Sequence, residues 1–244
     1  MKKIFKYELK RLIFNKIFFV LLMTTILYSY QILKKDIIVG IAYTAPFSAW
    51  SYGMYLARVL PLLLITLIFF ITFLYSKDEE QVKQLTFATP VNPLKYGIIK
   101  GLTIVVGYII ISLFVIVISL LFYGVIFHFY KFTDFIIPSL ITLIPALFFI
   151  FGAGLLIGSI HPNMLYVLII FVLLIGFLPL PTTVDLYGGQ TFSTYPLTLP
   201  VGPDGEPPFT LPASFLLGKV FFIVIGAAMI FFGIKGYANN QEKI

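Results

Sequence analysis

The sequence contains no cysteine and only two histidines, and each scarcity excludes a kind of chemistry. Without cysteine the chain forms no disulfide, offers no thiolate nucleophile and has no thiolate metal ligand. His128 and His161 stand far apart and outside any metal-binding repeat, so we interpret both as residues of the membrane interface and predict no metal site. No Gly-x-x-x-x-Gly-Lys-Ser/Thr motif occurs, which excludes ATP binding through a P-loop.

Charged residues are scarce as well. They make up 11% of the 244 residues, and 60% of the residues are hydrophobic, whereas a soluble domain carries about a quarter charged residues. One globular core could not enclose this much apolar surface, so lipid must be the solvent for a large part of it. The composition predicts an all-α integral membrane protein, with residues 1–244 forming one transmembrane domain.

Hydropathy predicts six membrane spans of about 17 to 26 residues each. They cover residues 17–33, 52–75, 102–127, 135–157, 164–180 and 215–234. Segment 1–16 before them reads as a helix whose apolar and basic residues fall on opposite sides. The apolar arc holds Phe5, Leu9, Leu12 and Ile13, and the basic arc holds Lys3, Lys6, Lys10 and Arg11. We therefore predict an amphipathic elbow helix lying in the membrane interface.

The basic residues are divided unequally between the two sides of this predicted topology. With a cytoplasmic N-terminus, twelve of the seventeen Lys and Arg residues fall on the cytoplasmic side and five on the outer side. We therefore predict cytoplasmic termini, with the positive charge facing anionic inner-leaflet lipid rather than nucleic acid. Lysine outnumbers arginine fifteen to two, a bias that fits the AT-rich genome of a low-GC bacterium and hence a bacterial plasma membrane.

Segment 181–213 is predicted to be a long, proline-rich extracellular loop. Its seven prolines and the Pro-Asp-Gly-Glu sequence at 203–206 predict extended, turn-rich backbone without a long helix. Two cations lie near this outer side inside predicted spans, Arg58 and Lys219. We expect both side chains to snorkel to the outer interface, and the alternative for Arg58 is a role in an outer gate or a substrate contact.

The predicted spans offer no catalytic arrangement. Ser159 has no partner histidine at membrane depth, and the pair Glu79-Glu80 lies outside its span, away from any histidine that would complete a metalloprotease site. We therefore predict that the chain is not an enzyme. The candidates for a translocation path or gate are four residues of the second span, Arg58, Pro61, Thr66 and Thr72.

Segment 76–101, SKDEEQVKQLTFATPVNPLKYGIIKG, is a polar insert between two apolar spans. Three consecutive acids begin a predicted short helix over 78–85, where the helix dipole favours them. Thr89-Pro90 breaks this helix, and a second helix starts at Leu94 and leads into the next span. A helix, a rigid turn and a re-entering helix at the membrane surface can present a docking surface to a soluble partner.

This segment resembles the cytoplasmic loop between the second and third spans of ABC type-2 permeases. That loop runs from two acids through a leucine and a Ser/Thr-Pro-Val/Ile element to a short helix ending in lysine. The matching residues here are Glu79, Glu80, Leu85, Thr89, Pro90, Val91, Lys95 and Lys100. The family often has Arg-Glu and a central glycine, where this chain has Asp-Glu-Glu-Gln-Val-Lys. A basic elbow helix, six spans and a long loop before the last one are similar to the family's layout too.

The resemblance implies ABC type-2 exporter architecture, with this chain as the permease subunit. A separate nucleotide-binding subunit would use ATP and Mg, so this chain would bind no cofactor, and a second copy or a homologous permease would complete the transporter. ATP-driven closure of that partner would push the loop and switch the spans between inward-open and outward-open states. The implied contact with the ATPase consists of Asp78, Glu79, Glu80, Val82, Leu85, Thr89 and Pro90.

The apolar spans and the family resemblance together suggest a class of cargo. Spans rich in Phe, Ile and Leu suit a hydrophobic or amphipathic molecule, and compact permeases of low-GC bacteria in this family often export antimicrobial peptides or toxins. Export of a drug or a lipid is the next interpretation. The alternative from another class is a membrane immunity or assembly protein that binds a toxin or a partner without transport or catalysis.

Overall fold

The computed structural model of the protein describes residues 2–76, 79, 92–202 and 205–239, and these residues form helices and connecting segments without a strand. Within this part of the chain, five helices are long and apolar enough to cross a membrane. They are Lys16–Ile37, Ala49–Leu74, Pro93–Phe127, Phe132–Ile160 and Ala213–Ala238. The prediction of an α-helical membrane protein is confirmed at this level.

We number the helices in chain order. The first four are α1 (Lys2–Ile13), α2 (Lys16–Ile32, continued by a π-helical turn Leu33–Ile37), α3 (Ala49–Leu74) and α4 (Pro93–Phe127). After a 3-10 turn at Phe132–Phe135 follow α5 (Ile136–Ile160), α6 (Met164–Ile175), the short α7 (Gly189–Thr194) and α8 (Ala213–Asn239).

Contacts along the helices give their directions. Phe18 near the start of α2 stacks on Phe70 near the end of α3, and Ser29 near the end of α2 bonds to Tyr55 near the start of α3, so the two helices are antiparallel. We call the end of the bundle that carries α1 the α1 face, and the end at which α3, α5 and α8 begin the loop face. α2, α4 and α6 run toward the loop face, and α3, α5 and α8 run back.

Local sequence explains where the principal helices begin. The side chain of Ser48 accepts a hydrogen bond from the Ser51 amide (3.1 Å) and caps α3. Asn92 accepts from the Lys95 amide (3.3 Å) and caps α4, whose first residue is Pro93. α3 is the most deeply buried of the membrane-crossing helices and packs against α2, α4, α5, α6 and α7.

A helix, α1, lies within segment 1–16, where the sequence predicts an elbow helix. It ends at Ile13, and Asn15 caps the following helix by accepting a bond from the Ile17 amide (3.0 Å). Leu12, from the predicted apolar arc, is buried beside Gly107 of α4. Arg11, placed by the sequence on the basic arc with the exposed lysines, instead bonds to a buried carboxylate of the bundle.

The predicted fifth span is not a full span. Over 164–180 the structure has a helix of only 12 residues, α6 (Met164–Ile175), which is about 18 Å long against about 30 Å of hydrocarbon. Gly176 ends it in a turn, and Pro179 and Pro181 follow. The prediction of six spanning helices is therefore wrong at this position, and the other five spans are confirmed.

Segment 176–212 fills the space that a longer α6 would occupy. The ring of Phe192 in α7 packs against Gly53 of α3. Gly176 lies beside Pro61, which is further along α3. Pro61 is twelve residues into α3, which places this irregular backbone about 18 Å below the start of that helix. Where the structure describes it, segment 181–212 is turn-rich, holds only the short helix α7 and a 3-10 turn, and packs in part against α3. Pro203 and Asp204 of the predicted turn lie outside the described residues.

Glycines join α5 and α8 backbone to backbone. A methyl group at Gly226 would overlap the backbone of Phe148, and one at Gly233 would come within 2.8 Å of the backbone nitrogen of Leu156. Gly154 and Gly158 of α5, predicted from their spacing to permit close packing, meet Ile71 and Tyr75 of α3. Small residues thus bring three parallel helices, α3, α5 and α8, into direct contact.

Replacement of Gly226 by leucine is expected to lower the free energy of unfolding by about 2 kcal/mol, because the α5–α8 seam has no room for a side chain. Thermal unfolding in detergent, followed by circular dichroism, measures the change. Gly101→Ala is the control, since a methyl group there meets only the ring edge of Phe151 at 3.4 Å. Equal stability of the Gly226→Leu variant and the wild type would contradict the close packing.

Candidate functional site

Five polar residues form a buried charge cluster at the α1 face. We call Glu8, Arg11, Glu79, Tyr96 and Lys100 the α1-face cluster. Glu79 is at its centre: one carboxylate oxygen lies 2.6 Å from the Lys100 ammonium and accepts from the Tyr96 hydroxyl at 3.0 Å, and the other accepts from Arg11 at 2.9 Å. Glu8 accepts a second bond from Lys100 at 2.6 Å.

The cluster is neutral and largely shielded from solvent. The side chains of Glu79, Glu8 and Lys100 are 2%, 8% and 8% exposed, and that of Arg11 is 37% exposed. Two carboxylates face two cations, which is the condition under which charges are tolerated away from water. Removal of one member would leave an uncompensated charge, so the cluster holds together only when it is complete.

The members come from three separate segments of the chain. Glu8 and Arg11 are one turn apart on α1, Tyr96 and Lys100 are one turn apart on α4, and Glu79 follows the end of α3 by five residues. The cluster therefore fastens α1 and the start of α4 to the chain that leaves α3. Segment 76–101 is held near both of its ends by the same set of bonds.

Arg11 is the member closest to water. Partial burial opposes its charge, but the carboxylates of Glu79 and Glu8 outweigh this effect and raise the pKa of the guanidinium above its usual value. The arginine therefore stays protonated. A cavity of about 420 Å³ lies next to the cluster and has apolar walls from Leu12, Phe70 and Ile104.

Of the predicted ATPase-contact residues, the structure describes only Glu79. Its carboxylate is turned into the α1-face cluster and is bonded within the chain. The remaining predicted contact residues lie outside the described residues: Asp78, Glu80, Val82, Leu85, Thr89 and Pro90. The predicted docking role of the segment stays a prediction.

The four predicted path or gate residues separate into two pairs. Arg58 and Pro61 line a cavity of about 400 Å³ between α3, the end of α6 and segment 176–193, which we call the loop-face cavity. Thr66 and Thr72 bond to the backbone of their own helix, through Leu62 O at 3.0 Å and Phe69 O at 2.7 Å. Arg58 and Pro61 thus lie together at a cavity, whereas the hydroxyl groups of Thr66 and Thr72 bond within α3.

Arg58 does not extend freely to the interface. Its guanidinium forms a salt bridge with Asp36 in the π-helical turn that continues α2, and Tyr28 of α2 donates a hydrogen bond to its carbonyl at 3.4 Å. These bonds connect α2 to α3 beside the loop-face cavity. The side chain is 35% exposed, so both roles predicted for Arg58, snorkelling and a gate contact, remain open.

Lys219 corrects a prediction. Its side chain does not snorkel: the residue is 4% exposed, donates a hydrogen bond to the Leu186 carbonyl at 2.6 Å, and lies 4.6 Å from the centre of the Phe215 ring. Nearby, Asp185 accepts bonds from the Gly188 and Thr191 amides at 2.7 and 2.9 Å and from the Thr191 hydroxyl at 3.0 Å. These two residues fix the buried part of segment 176–212 to α8.

Hydroxyl groups form a second buried polar region, between α2, α3 and α4. The Tyr55 hydroxyl bonds to Ser29 at 2.8 Å and lies 3.1 Å from the Val115 carbonyl. Ser112 is buried on the same face of α4, and its hydroxyl makes no hydrogen bond within the described part of the chain. The aromatic composition of the spans did not distinguish these buried tyrosines from lipid-facing ones.

No protein-family model, curated protein or solved structure matches the chain. Across the described ranges, no group of three or more histidine, aspartate or glutamate residues is placed to hold a metal ion. In the described part of the chain, charged groups bond helices together at the α1 face, and a cavity at the loop face has polar and apolar walls.

Proposed function

We propose that the chain is the permease subunit of an ATP-driven exporter with ABC type-2 architecture, in a bacterial plasma membrane with the α1 face in the cytoplasm. The observation that carries this proposal is the α1-face cluster. Glu79 at the start of the insert is bonded both to α1 and to α4. A soluble motor that pulls on segment 76–101 would therefore move these elements together.

The strength of the connection suits such a transmission. Charge-assisted hydrogen bonds are short and about twice as strong as neutral ones. With Glu79 and Lys100 nearly buried, water does not compete for these bonds. A displacement of the insert is transmitted to the start of α4, a helix of 35 residues that runs to the loop face.

The rest of the transporter is supplied by other chains in this proposal. A separate nucleotide-binding subunit hydrolyses ATP with Mg and holds Glu80, Leu85 and their neighbours. A second copy of the chain or a homologous permease completes the path. The cargo is hydrophobic or amphipathic, a peptide or toxin, in keeping with the apolar spans, and Arg58 and Pro61 contribute to its gate at the loop face.

The first test is purification of the tagged chain from its host in mild detergent. We expect a soluble subunit with a P-loop in equal amount, and ATP turnover that rises when the cargo peptide is added to the reconstituted complex. A double variant, Glu80→Lys with Leu85→Ala, is expected to lose the ATPase. Lys16→Gln, a change in a charged residue on the same predicted side but outside the insert, is expected to retain it.

Glu79→Gln separates docking from transmission. This variant is expected to retain the ATPase but to lose about tenfold in cargo-stimulated turnover, which corresponds to about 1.4 kcal/mol of coupling free energy. A folded chain that comes out alone under these conditions would contradict the proposal. The immunity or assembly alternative would then explain the protein better.

A further inference from the structure

Both polar and apolar residues line the loop-face cavity. Gln190 and Ser193 belong to α7, which packs against the first turns of α3 at the loop face. Pro61 and Leu173 form the wall farther from that face. Arg58 lies between the two regions, nine residues or about 14 Å into α3. This order of groups matches the orientation of a lipid in the leaflet on the loop face.

The cavity has an open side formed by apolar residues. Phe177 and Leu178, which line it beyond the end of α6, are 84% and 56% exposed. In segment 176–188 only residues 185–188 are buried, and most of residues 176–184 are exposed, so they form the open side of the cavity. An amphiphile could therefore enter from the side, along Phe177 and Leu178.

Arg58 supplies the unsatisfied donors of the cavity. A guanidinium carries five N–H groups; Nη1 pairs with Asp36, and the other nitrogens make no bond within the described residues. Asp185, the other charged residue that lines the cavity, already accepts three hydrogen bonds from its own loop. The free groups thus favour a ligand that is rich in anionic oxygen acceptors.

We propose that the loop-face cavity binds an anionic phospholipid. Its phosphate oxygens bond to Arg58, the polar part of its headgroup lies beside Gln190 and Ser193, and the first part of its acyl chains lies along Pro61 and Leu173. About 400 Å³ is within the range of small-ligand sites and holds a headgroup with the beginning of the chains. This site does not depend on an ATPase partner, so it can stand if the proposed transport function fails.

The test is lipid binding to the full-length chain in nanodiscs that contain phosphatidylglycerol and phosphatidylcholine in equal amounts, with retained lipid counted by native mass spectrometry. The wild type is expected to retain one phosphatidylglycerol in preference to phosphatidylcholine by about tenfold. Arg58→Gln is expected to remove this preference. Lys131→Gln, a change at an exposed cation in another connection at the loop face, is expected to leave it intact.

A second pair of variants tests the cavity without touching its charge. Leu173→Trp fills the cavity along its apolar wall, and Leu173 is 43% exposed, so the larger side chain has room at its outer edge. It is expected to lower the retention of phosphatidylglycerol about tenfold. Leu174→Trp adds the same side chain at a neighbouring residue that is 56% exposed and not among those lining the cavity, and is expected to bind like the wild type.

Each opposite outcome overturns the site. Equal retention of the two lipids by the wild type would contradict the proposal that the ligand is anionic. If Lys131→Gln also lost the preference for phosphatidylglycerol, that preference would come from diffuse surface charge rather than from the cavity. Protection by inorganic phosphate alone, as strong as that by phosphatidylglycerol in thermal unfolding, would make the ligand a free anion rather than a lipid.

Discussion

Replacement of Lys100 by methionine is expected to lower the free energy of unfolding by about 3–5 kcal/mol, because it breaks a buried ion pair from one side. Lys100 lies 2.6 Å from carboxylate oxygens of both Glu8 and Glu79. Without it, two shielded carboxylates share only Arg11, whose side chain is 37% exposed. Methionine keeps most of the volume, so the effect reports charge rather than a cavity.

The matched control is Lys95→Met, on the same helix but exposed, which is expected to change stability by less than about 0.5 kcal/mol. Thermal unfolding of both variants in the same detergent gives the comparison. A double variant, Lys100→Met with Glu8→Gln, removes one charge of each sign and is expected to recover about half of the loss. No difference between the two single variants would show that the α1-face cluster does not stabilise the fold.

Replacement of Asp185 by alanine is expected to cost about 3 kcal/mol, because three buried donors lose their acceptor together. The Gly188 amide, the Thr191 amide and the Thr191 hydroxyl all bond to this carboxylate. An unsatisfied buried donor costs about 1–3 kcal/mol. The substitution also removes the carboxylate that interacts electrostatically with the buried Lys219.

Limited proteolysis, together with thermal unfolding, measures this change. Segment 176–212 is expected to become cleavable in Asp185→Ala at a temperature at which the wild type is intact. Asp134→Ala is the control, since Asp134 forms an exposed pair with Lys131 at 3.2 Å, and such pairs contribute about 0–1 kcal/mol. Equal cleavage of Asp185→Ala and the control would contradict a loop that is fixed by its own carboxylate.

Hydropathy located the membrane helices well because burial in lipid is a property of composition. Five of the six predicted spans fall, to within one residue, inside helices that are long enough to cross, and α1 covers residues 2–13 of the segment 1–16 predicted to be a helix. The fifth span failed because a hydropathy window over 164–180 counts apolar residues without regard to backbone. Gly176, Pro179 and Pro181 end the helix early. Phe177 and Leu178 lie beyond its end but are apolar, so the hydropathy window still counts them.

The α1-face cluster could not be predicted in the same way. It joins residues up to 92 positions apart, and no periodicity connects them. The resemblance to ABC type-2 permeases implies that Glu79 contacts an ATPase subunit, whereas its bonds in the structure are to its own chain. The prediction for Lys219 was wrong for a related reason. Its sequence position indicates its depth along α8, but the carbonyl that it binds belongs to segment 176–212, which packs against that helix.

The glycine seam between α5 and α8 has a consequence for how the bundle can rearrange. Helices that touch through side chains can slide past each other as rotamers change. Helices in backbone contact cannot adjust in this way. Because Gly152, Gly226 and Gly233 distribute this contact over several turns, α5 and α8 behave as one rigid body. Any change of shape then has few degrees of freedom, and α2, α4 and α6, which lie outside the seam, are the helices that can move against it.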